Sequence, residues 1–214
     1  MKSVLVIGAG QFGTHIAKRM EELRCEVMVV DKDEECINDI MSYVTYVKIG
    51  DGTSEEFLRT LGIDNFDVCF VTLGRHFQTS LETTSLLSEL GAKKVISRAT
   101  NDVQMKFLLR NGADEVVYPE KQTALRIATK YASDNILDFF HVENDIYIYE
   151  LMIPREWCGK KLGQIDIRKK YNINILTIKR KSEVLIPTAE TVIQLDDVAF
   201  VLGESQDIQR SFKL

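Results

Sequence analysis

SVLVIGAGQFG, residues 3–13, decides the fold of this 214-residue chain. The apolar run Val4 to Ile7 leads directly into Gly8-Ala9-Gly10-Gln11-Phe12-Gly13, and helical periodicity begins there. Strand, glycine turn and helix in that order give G-x-G-x-x-G a structural meaning that the bare pattern lacks. Gly8 permits a tight turn, Gly10 lets the backbone approach a pyrophosphate, and Gly13 brings helix and strand close together. The helix N-terminus then offers unpaired N–H groups and a partial positive charge to phosphate. Asp31 closes the next apolar run, 18 residues beyond Gly13. A carboxylate there accepts hydrogen bonds from both ribose hydroxyls of an adenosine and repels a 2′-phosphate, which disfavours NADP.

Outward from this motif, short β-branched runs alternate with helical segments. Six strands are expected: Val4 to Ile7, Glu26 to Val30, Tyr43 to Ile49, Val68 to Leu73, Lys94 to Ser97 and Glu115 to Tyr118. Most are apolar at successive positions, which means burial on both faces and a parallel sheet covered by helices. The fold class is therefore α/β, a Rossmann-like doubly wound parallel sheet, with a smaller α+β lobe after it. In such a sheet ligands bind at the carboxyl ends of the strands, where the winding reverses. Asp51, Thr72, Gly74, Arg75, Arg98 and Glu120 follow or end strands at that rim. Asp51 is open between accepting an adenine amino group and capping the helix that starts near Ser54. The two arginines are open between facing phosphate and serving as exposed or capping cations. Glu120 is a candidate ligand for a hydrated divalent cation shared with phosphate.

Beyond Pro119, which ends the sixth strand, a helix is expected from Gln122 to about Phe140. It carries more apolar positions, Leu125, Ile127, Ala128, Tyr131, Ile136, Leu137, Phe139 and Phe140, than one inward stripe needs. It reads either as a connector packed on a second chain or as a terminal helix covering its own sheet. The organisation expected is thus a nucleotide-binding domain over 1–120, a connector and dimerisation helix over 121–141, and a regulatory domain over 142–214. The last has strands at Ile146 to Ile153, Asn174 to Arg180, Val184 to Ile186 and Val198 to Leu202, with Lys181 and Ser182 as a tight turn. Helical segments fall at about Leu162 to Tyr171 and Glu204 to Phe212. A core of about 70 residues is marginal alone, which favours dimerisation.

A formal charge of −5 leaves no positive field to gather nucleic acid. No stretch approaches the roughly 18 to 20 apolar residues of a membrane span, and the first strand begins too early for a signal peptide, so a cytosolic location is expected. Cys25, Cys36, Cys69 and Cys158 lack C-x-x-C spacing and read as reduced, small hydrophobes. No G-x-x-x-x-G-K-[ST] loop, H-E-x-x-H pair or nucleophile elbow is present. Of the three histidines only His76 follows a strand end at the rim, where it reads as a helix-start residue. A nucleotide bound without catalytic apparatus points to a signal rather than an enzyme. The rivals are a small NAD-dependent oxidoreductase, which would turn over at the nicotinamide band, and a free-standing redox sensor.

VIGAGQFG (6–13), VVDKD (29–33), GDGT (50–53), ISRA (96–99), GADEVVYPE (112–120) and GKKLGQIDIRKKYNINILTIKR (159–180), in this order and length, resemble the regulatory subunits of Trk/Ktr-type potassium-uptake systems. These are built from an RCK domain, a regulator of potassium conductance. The resemblance implies homodimers assembled into an octameric ring on the cytoplasmic face of a membrane potassium-translocating subunit, with ATP/ADP or NAD(H) exchanging in the first lobe. It implies a cofactor-binding set of Gly8, Gly10, Gln11, Phe12, Gly13, Asp31, Lys32, Asp51, Thr72, Gly74, Arg98 and Glu120. Glu120 would lie near the γ-phosphate and an activating cation, divalent or sodium. It further implies cyclic di-AMP between two second lobes, with Arg168, Asn174, Ile175 and Pro187 as the candidate pocket. One departure is Gln11, where many relatives carry arginine, so that a neutral amide replaces a bidentate phosphate grip.

Overall fold

The computed structural model describes residues 1–74 and 76–212. Its contacts divide the chain into two units, the first Met1–Lys121 and the second from Gln122 onward.

In the first unit β1 (Ser3–Ile7), α1 (Gln11–Glu22), β2 (Glu26–Asp31), α2 (Glu34–Ile40), β3 (Tyr46–Ile49), α3 (Glu55–Leu61), β4 (Val68–Val71), α4 (Phe77–Glu89), β5 (Val95–Arg98), α5 (Asp102–Arg110) and β6 (Glu115–Val117) alternate in strict order. The strands form one sheet in the order β3-β2-β1-β4-β5-β6, and each neighbouring pair is parallel. The winding therefore reverses between β1 and β4. Strand β1 explains why its run is apolar throughout. Val4 and Val6 pack with Ala17, Val27 and Val29 on one face, while Leu5 and Ile7 pack with Leu58, Cys69 and Val71 on the other, all essentially inaccessible. The helices begin where side chains satisfy free N–H groups: Asp33, Ser54 and Asn101 cap α2, α3 and α5 by accepting from Glu35, Phe57 and Gln104.

Some boundaries differ from the sequence expectation. Strand β3 starts at Tyr46 rather than Tyr43, because residues 41–45 form the exit from α2. Strand β4 stops at Val71, since Thr72 to Gly74 already belong to the loop. Pro119 does not end β6, which stops at Val117. It opens α6 (Pro119–Tyr131), in a first turn where its missing N–H costs nothing.

The largest correction concerns the segment read as helix to Phe140. Helix α6 ends at Tyr131, and β7 (Ile136–Glu143) pairs antiparallel with β8 (Ile146–Met152). The Ser133-Asp134-Asn135 cluster breaks the helix, and Asn144, with φ of +51°, supplies the left-handed turn residue between the strands. The expected connector 121–141 is thus part helix and part strand. None of the residues of α6 is buried, so it is not a terminal helix covering its own sheet.

The second unit continues with α7 (Leu162–Ile165), α8 (Ile167–Tyr171), β9 (Asn174–Arg180), β10 (Glu183–Leu185), β11 (Val198–Glu204) and α9 (Ser205–Phe212). The helix expected over 162–171 is two short ones, broken at Asp166 by a φ of +52°. The sheet order is β10-β9-β11-β8-β7, with every pairing antiparallel. Its core gathers Tyr149, Leu151, Trp157, Ile178, Ala199, Val201, Ile208 and Phe212. Trp157 and Phe212 meet edge to face at 5.2 Å, a geometry that favours aromatic pairs. Among the described residues no helix is long and apolar enough to cross a membrane.

Candidate nucleotide site

The glycine loop lies at the carboxyl end of β1, at the point where the winding reverses. Gly8 has φ of +108°, a conformation that side chains avoid, and its N–H donates to Val30 O at 2.8 Å. A Cβ on Gly13 would lie 1.9 Å from Gly8 O and 2.6 Å from Thr72 Oγ1, so that position has no room for a side chain. At Gly10 the opposite holds. A Cβ there would meet nothing within 4 Å, and the residue caps the N-terminus of α1 with no side chain of its own. The loop is thus packed tightly at both ends and open in the middle, where α1 presents its free N–H groups.

Two polar side chains hold this shape. Asp31 Oδ2 accepts from Ala9 N–H at 2.6 Å and its Oδ1 from Asp33 N–H at 3.0 Å. The buried Thr72 hydroxyl reaches Gly8 O at 2.7 Å and Ile7 O at 3.0 Å. Thr72, expected among the ligand-facing residues, commits its hydroxyl to the loop. Thr14, which the sequence reading passed over, adds a hydroxyl bond to Ala9 O at 3.0 Å. Its only sequence signal is a polar residue one position past the last glycine.

The rest of the rim is distributed along the sheet edge. Gln11 is the exposed first residue of α1. Asp51 does not cap α3, because Ser54 does. Its Oδ1 accepts from Thr53 N–H and Thr53 Oγ1, bonds that together with the nearby Lys32 charge hold its carboxyl below the ordinary range. Lys32 and Asp51 therefore belong to one corner, past β2 and β3. Gly74, Phe12, Arg98 and Glu120 form the other. A Cβ on Gly74 would lie 3.3 Å from the Arg98 side chain, the Arg98 guanidinium stands 5.3 Å from the Phe12 ring centroid, and Arg98 Nη2 donates to Glu120 Oε1. Burial pushes the Glu120 carboxyl up, but bonds from its own backbone N–H and from Arg98, with the Arg98 charge, outweigh it and hold the group low. Arg75 lies outside the described residues. His76 caps α4 by position without a side-chain bond.

Among the described residues no three His, Cys, Asp or Glu side chains gather as a metal site. All four cysteines are free, and burial pushes the Cys69 thiol up to about 12, which leaves it un-ionised. In the second unit Arg168 Nε and Nη2 donate to Asn174 Oδ1 at 3.0 and 2.8 Å, which brings those two together. Ile175 follows on β9, and Pro187 sits in the loop after β10. A separate polar cavity of about 110 Å³, bordered by Lys169, Asn172, Asp207 and Arg210, shares none of the four.

A doubly wound sheet with a tightly built, centrally open glycine loop, followed by a small antiparallel unit, defines a dinucleotide-type binding fold joined to an accessory domain. Comparison with known proteins narrows this. Residues 4–119 match the TrkA-N domain and residues 146–214 the TrkA-C domain. The chain is 40% identical over 210 residues to Ktr system potassium uptake protein C of Bacillus subtilis and 35% identical over 210 residues to protein A of that system, covering 98% of this chain and 95% of each relative. Its fold matches the crystal structure of the GsuK RCK domain with a TM-score of 0.66 at 17% identity, over 100% of this chain and 47% of that longer one. The chain belongs to the Trk/Ktr family of potassium-uptake regulatory proteins, built from a TrkA-N and a TrkA-C domain. This is a regulatory family rather than an enzymatic one, in line with the sequence reading.

Proposed function

We propose that this chain is a cytoplasmic subunit, peripheral to the membrane, that gates a potassium-translocating partner according to the adenine nucleotide held in its first unit. The observation that carries the reading is the glycine loop, closed to any side chain at Gly13 and open at Gly10. Solved GsuK channel structures of the same fold carry NAD, at a TM-score of 0.66, and ADP, at 0.52. In this chain the loop and the α1 N-terminus would take the phosphates, Asp31 the ribose hydroxyls, and the Lys32–Asp51 corner the adenosine end. Arg98 would supply charge to the distal phosphates.

Gating requires a difference in affinity between two states, and typical couplings of about 1–3 kcal/mol per site add over a ring. Ile127 and Tyr131, four residues apart on one face of α6, are 53% and 79% exposed, an apolar pair suited to a second copy and to the homodimers of an octamer. Cyclic di-AMP at Arg168, Asn174, Ile175 and Pro187 belongs to the same proposal. The test is potassium flux through the partner reconstituted with this chain, under ATP, ADP, NADH and cyclic di-AMP. Flux that responds to none of them would sink the gating role.

Gln11 allows a sharper prediction. At the first position of α1, Gln11→Arg adds a guanidinium able to grip phosphate bidentately. ATP affinity measured by calorimetry is expected to rise by about tenfold relative to NADH, the size of one charge-assisted bond. An unchanged ratio would show that Gln11 does not face the phosphates.

A further inference from the structure

The polar cavity of about 110 Å³ in the second unit is bordered by the end of α8, by Asn172 and by α9. Lys169, Lys170 and Arg210 stand on its wall, and Asp207 is the one acid among the described residues there. Three cations around one carboxylate make a locally positive spot on a chain whose formal charge is −5. None of the three is firmly paired among the described residues. Lys169 Nζ is 3.9 Å from Asp166 Oδ2 and Arg210 Nη1 is 3.8 Å from Asp207 Oδ1, both beyond hydrogen-bond reach. Lys170 Nζ lies against the Tyr171 ring, 5.1 Å from its centroid.

Asp207 differs from these exposed cations, because its side chain is only 19% exposed. Its Oδ2 accepts from Asn172 Nδ2 at 2.9 Å, and Asn172 is set there by the left-handed turn, φ of +54°, that ends α8. Oδ1 accepts no hydrogen bond among the described residues. A largely buried acceptor without a donor is costly, so this wall calls for an O–H or N–H while the cations call for negative charge. Few small ligands offer both. Sulfate is fully ionised near neutral pH and has acceptors alone. So has a phosphodiester such as cyclic di-AMP, which sets this cavity apart from the pocket proposed at Arg168 and Asn174. Phosphate monoesters lose their second proton at a pKa of about 6, whereas inorganic phosphate keeps an O–H through neutral pH.

We infer that the cavity is a site for inorganic phosphate in its monohydrogen form. The phosphate O–H donates to Asp207 Oδ1, the two lysines meet its other oxygens as point charges, and Arg210 meets them as a fork. The bound ion ties α8 to α9. A protonated phosphomonoester headgroup of a lipid shares this chemistry, and the test separates the two sources. The inference stands on the second unit alone and is independent of the nucleotide reading.

The experiment is calorimetric titration of the full chain, in phosphate-free buffer near neutral pH, with inorganic phosphate and with sulfate. Wild type is compared with Asp207→Asn and with the double variant Lys170→Gln/Arg210→Gln, and thermal unfolding midpoints monitor folding of each. Wild type is expected to prefer phosphate over sulfate about tenfold, the size of one hydrogen bond to a charged group. In Asp207→Asn, whose amide both accepts from Asn172 and donates to the anion, that preference is expected to disappear. The double variant is expected to weaken both anions about fivefold, the scale of two exposed charge contacts. Co-sedimentation with phosphatidic acid and phosphatidylcholine vesicles identifies the source. A chain left in solution by both takes free phosphate, and one pelleted by phosphatidic acid and released by inorganic phosphate takes the headgroup in the same cavity. Wild type that binds neither anion, or binds both equally, overturns the site. So does a phosphate preference that survives Asp207→Asn, or phosphate binding that no second-unit substitution alters, which would place the anion at the glycine loop instead.

Discussion

Gly13→Ala is expected to lower the stability of the first unit by about 2–3 kcal/mol, the upper range for a side chain forced into a packed site, and to weaken adenine-nucleotide binding sharply. The added methyl would stand 1.9 Å from Gly8 O, a backbone atom that cannot yield cheaply. Gly8 already sits at φ of +108°, its N–H is held by Val30 O, and its carbonyl accepts from Thr72. Relief requires moving α1 away from β1, and with it the free N–H groups at its start, proposed above to hold phosphate. Losing one charge-assisted bond costs about 1.5–3 kcal/mol, or about a tenfold to hundredfold drop in affinity. Gly10→Ala separates the two effects. With open space around its Cβ it is expected to cost less than about 1 kcal/mol of stability as a helix-cap change, yet to obstruct the phosphate and weaken binding. Urea unfolding and calorimetry on both variants provide the check. A Gly13→Ala protein as stable and as tightly binding as wild type would refute the close approach of loop and helix.

In the second unit the largest effect is expected from Asp197→Asn, at about 3 kcal/mol, the lower end for breaking a buried ion pair. Asp197 is 1% exposed. Its carboxylate accepts from Arg180 Nε and Nη2, both at 2.8 Å, and from Gln194 N–H at 2.8 Å, tying β9 to the entry of β11. The amide keeps one acceptor oxygen but leaves the Arg180 charge uncompensated, and that side chain is only 27% exposed. The pH dependence follows from the same contacts. Burial pushes the Asp197 carboxyl up, but the guanidinium bonds, the Gln194 N–H and the Arg180 charge outweigh it, so the folded group titrates below its ordinary value. A depressed folded pKa contributes stability that is fully present above the unfolded value of about 3.9 and is lost as pH falls through the folded one. The stability gap between wild type and Asp197→Asn is therefore expected to stay constant from pH 7 to about 5, to begin narrowing near pH 4, and to narrow further below that. Denaturant unfolding at pH 7, 4 and 3 measures it. Equal stabilities at pH 7, or a gap that widens in acid, would contradict the assignment.

Much of this molecule could be read along the chain because its signals are local. The run Val4 to Ile7 is buried on both faces, so it is apolar at every position, and that alone announces a parallel strand. Gly8, Gly13 and Asp31 are dictated by backbone geometry within about 25 residues of one another, and the structure joins them through Val30, Thr72 and Ala9. The misread segment shows the limit. Ile136, Leu137, Phe139 and Phe140 have the same composition whether they extend a helix or form a strand, and periodicity over so short a run does not separate the two. The Asn144-Asp145 turn was the available signal, because it flanks two apolar runs as a hairpin does.

The sequence by itself determined the doubly wound class, the place of the glycine loop and the family, since each depends on residue types at fixed short spacings. Only the tertiary structure decided what each rim residue does. Asp51 and Ser54 both suit a helix cap, and packing gave that role to Ser54. Thr72 turned inward to the loop, and Arg98 met Glu120, 22 residues away, beside Phe12 from another element. Such pairings join side chains brought together by β4, β5 and α6 across the sheet edge. Their partners are chosen by distance in space, which no spacing along the chain encodes.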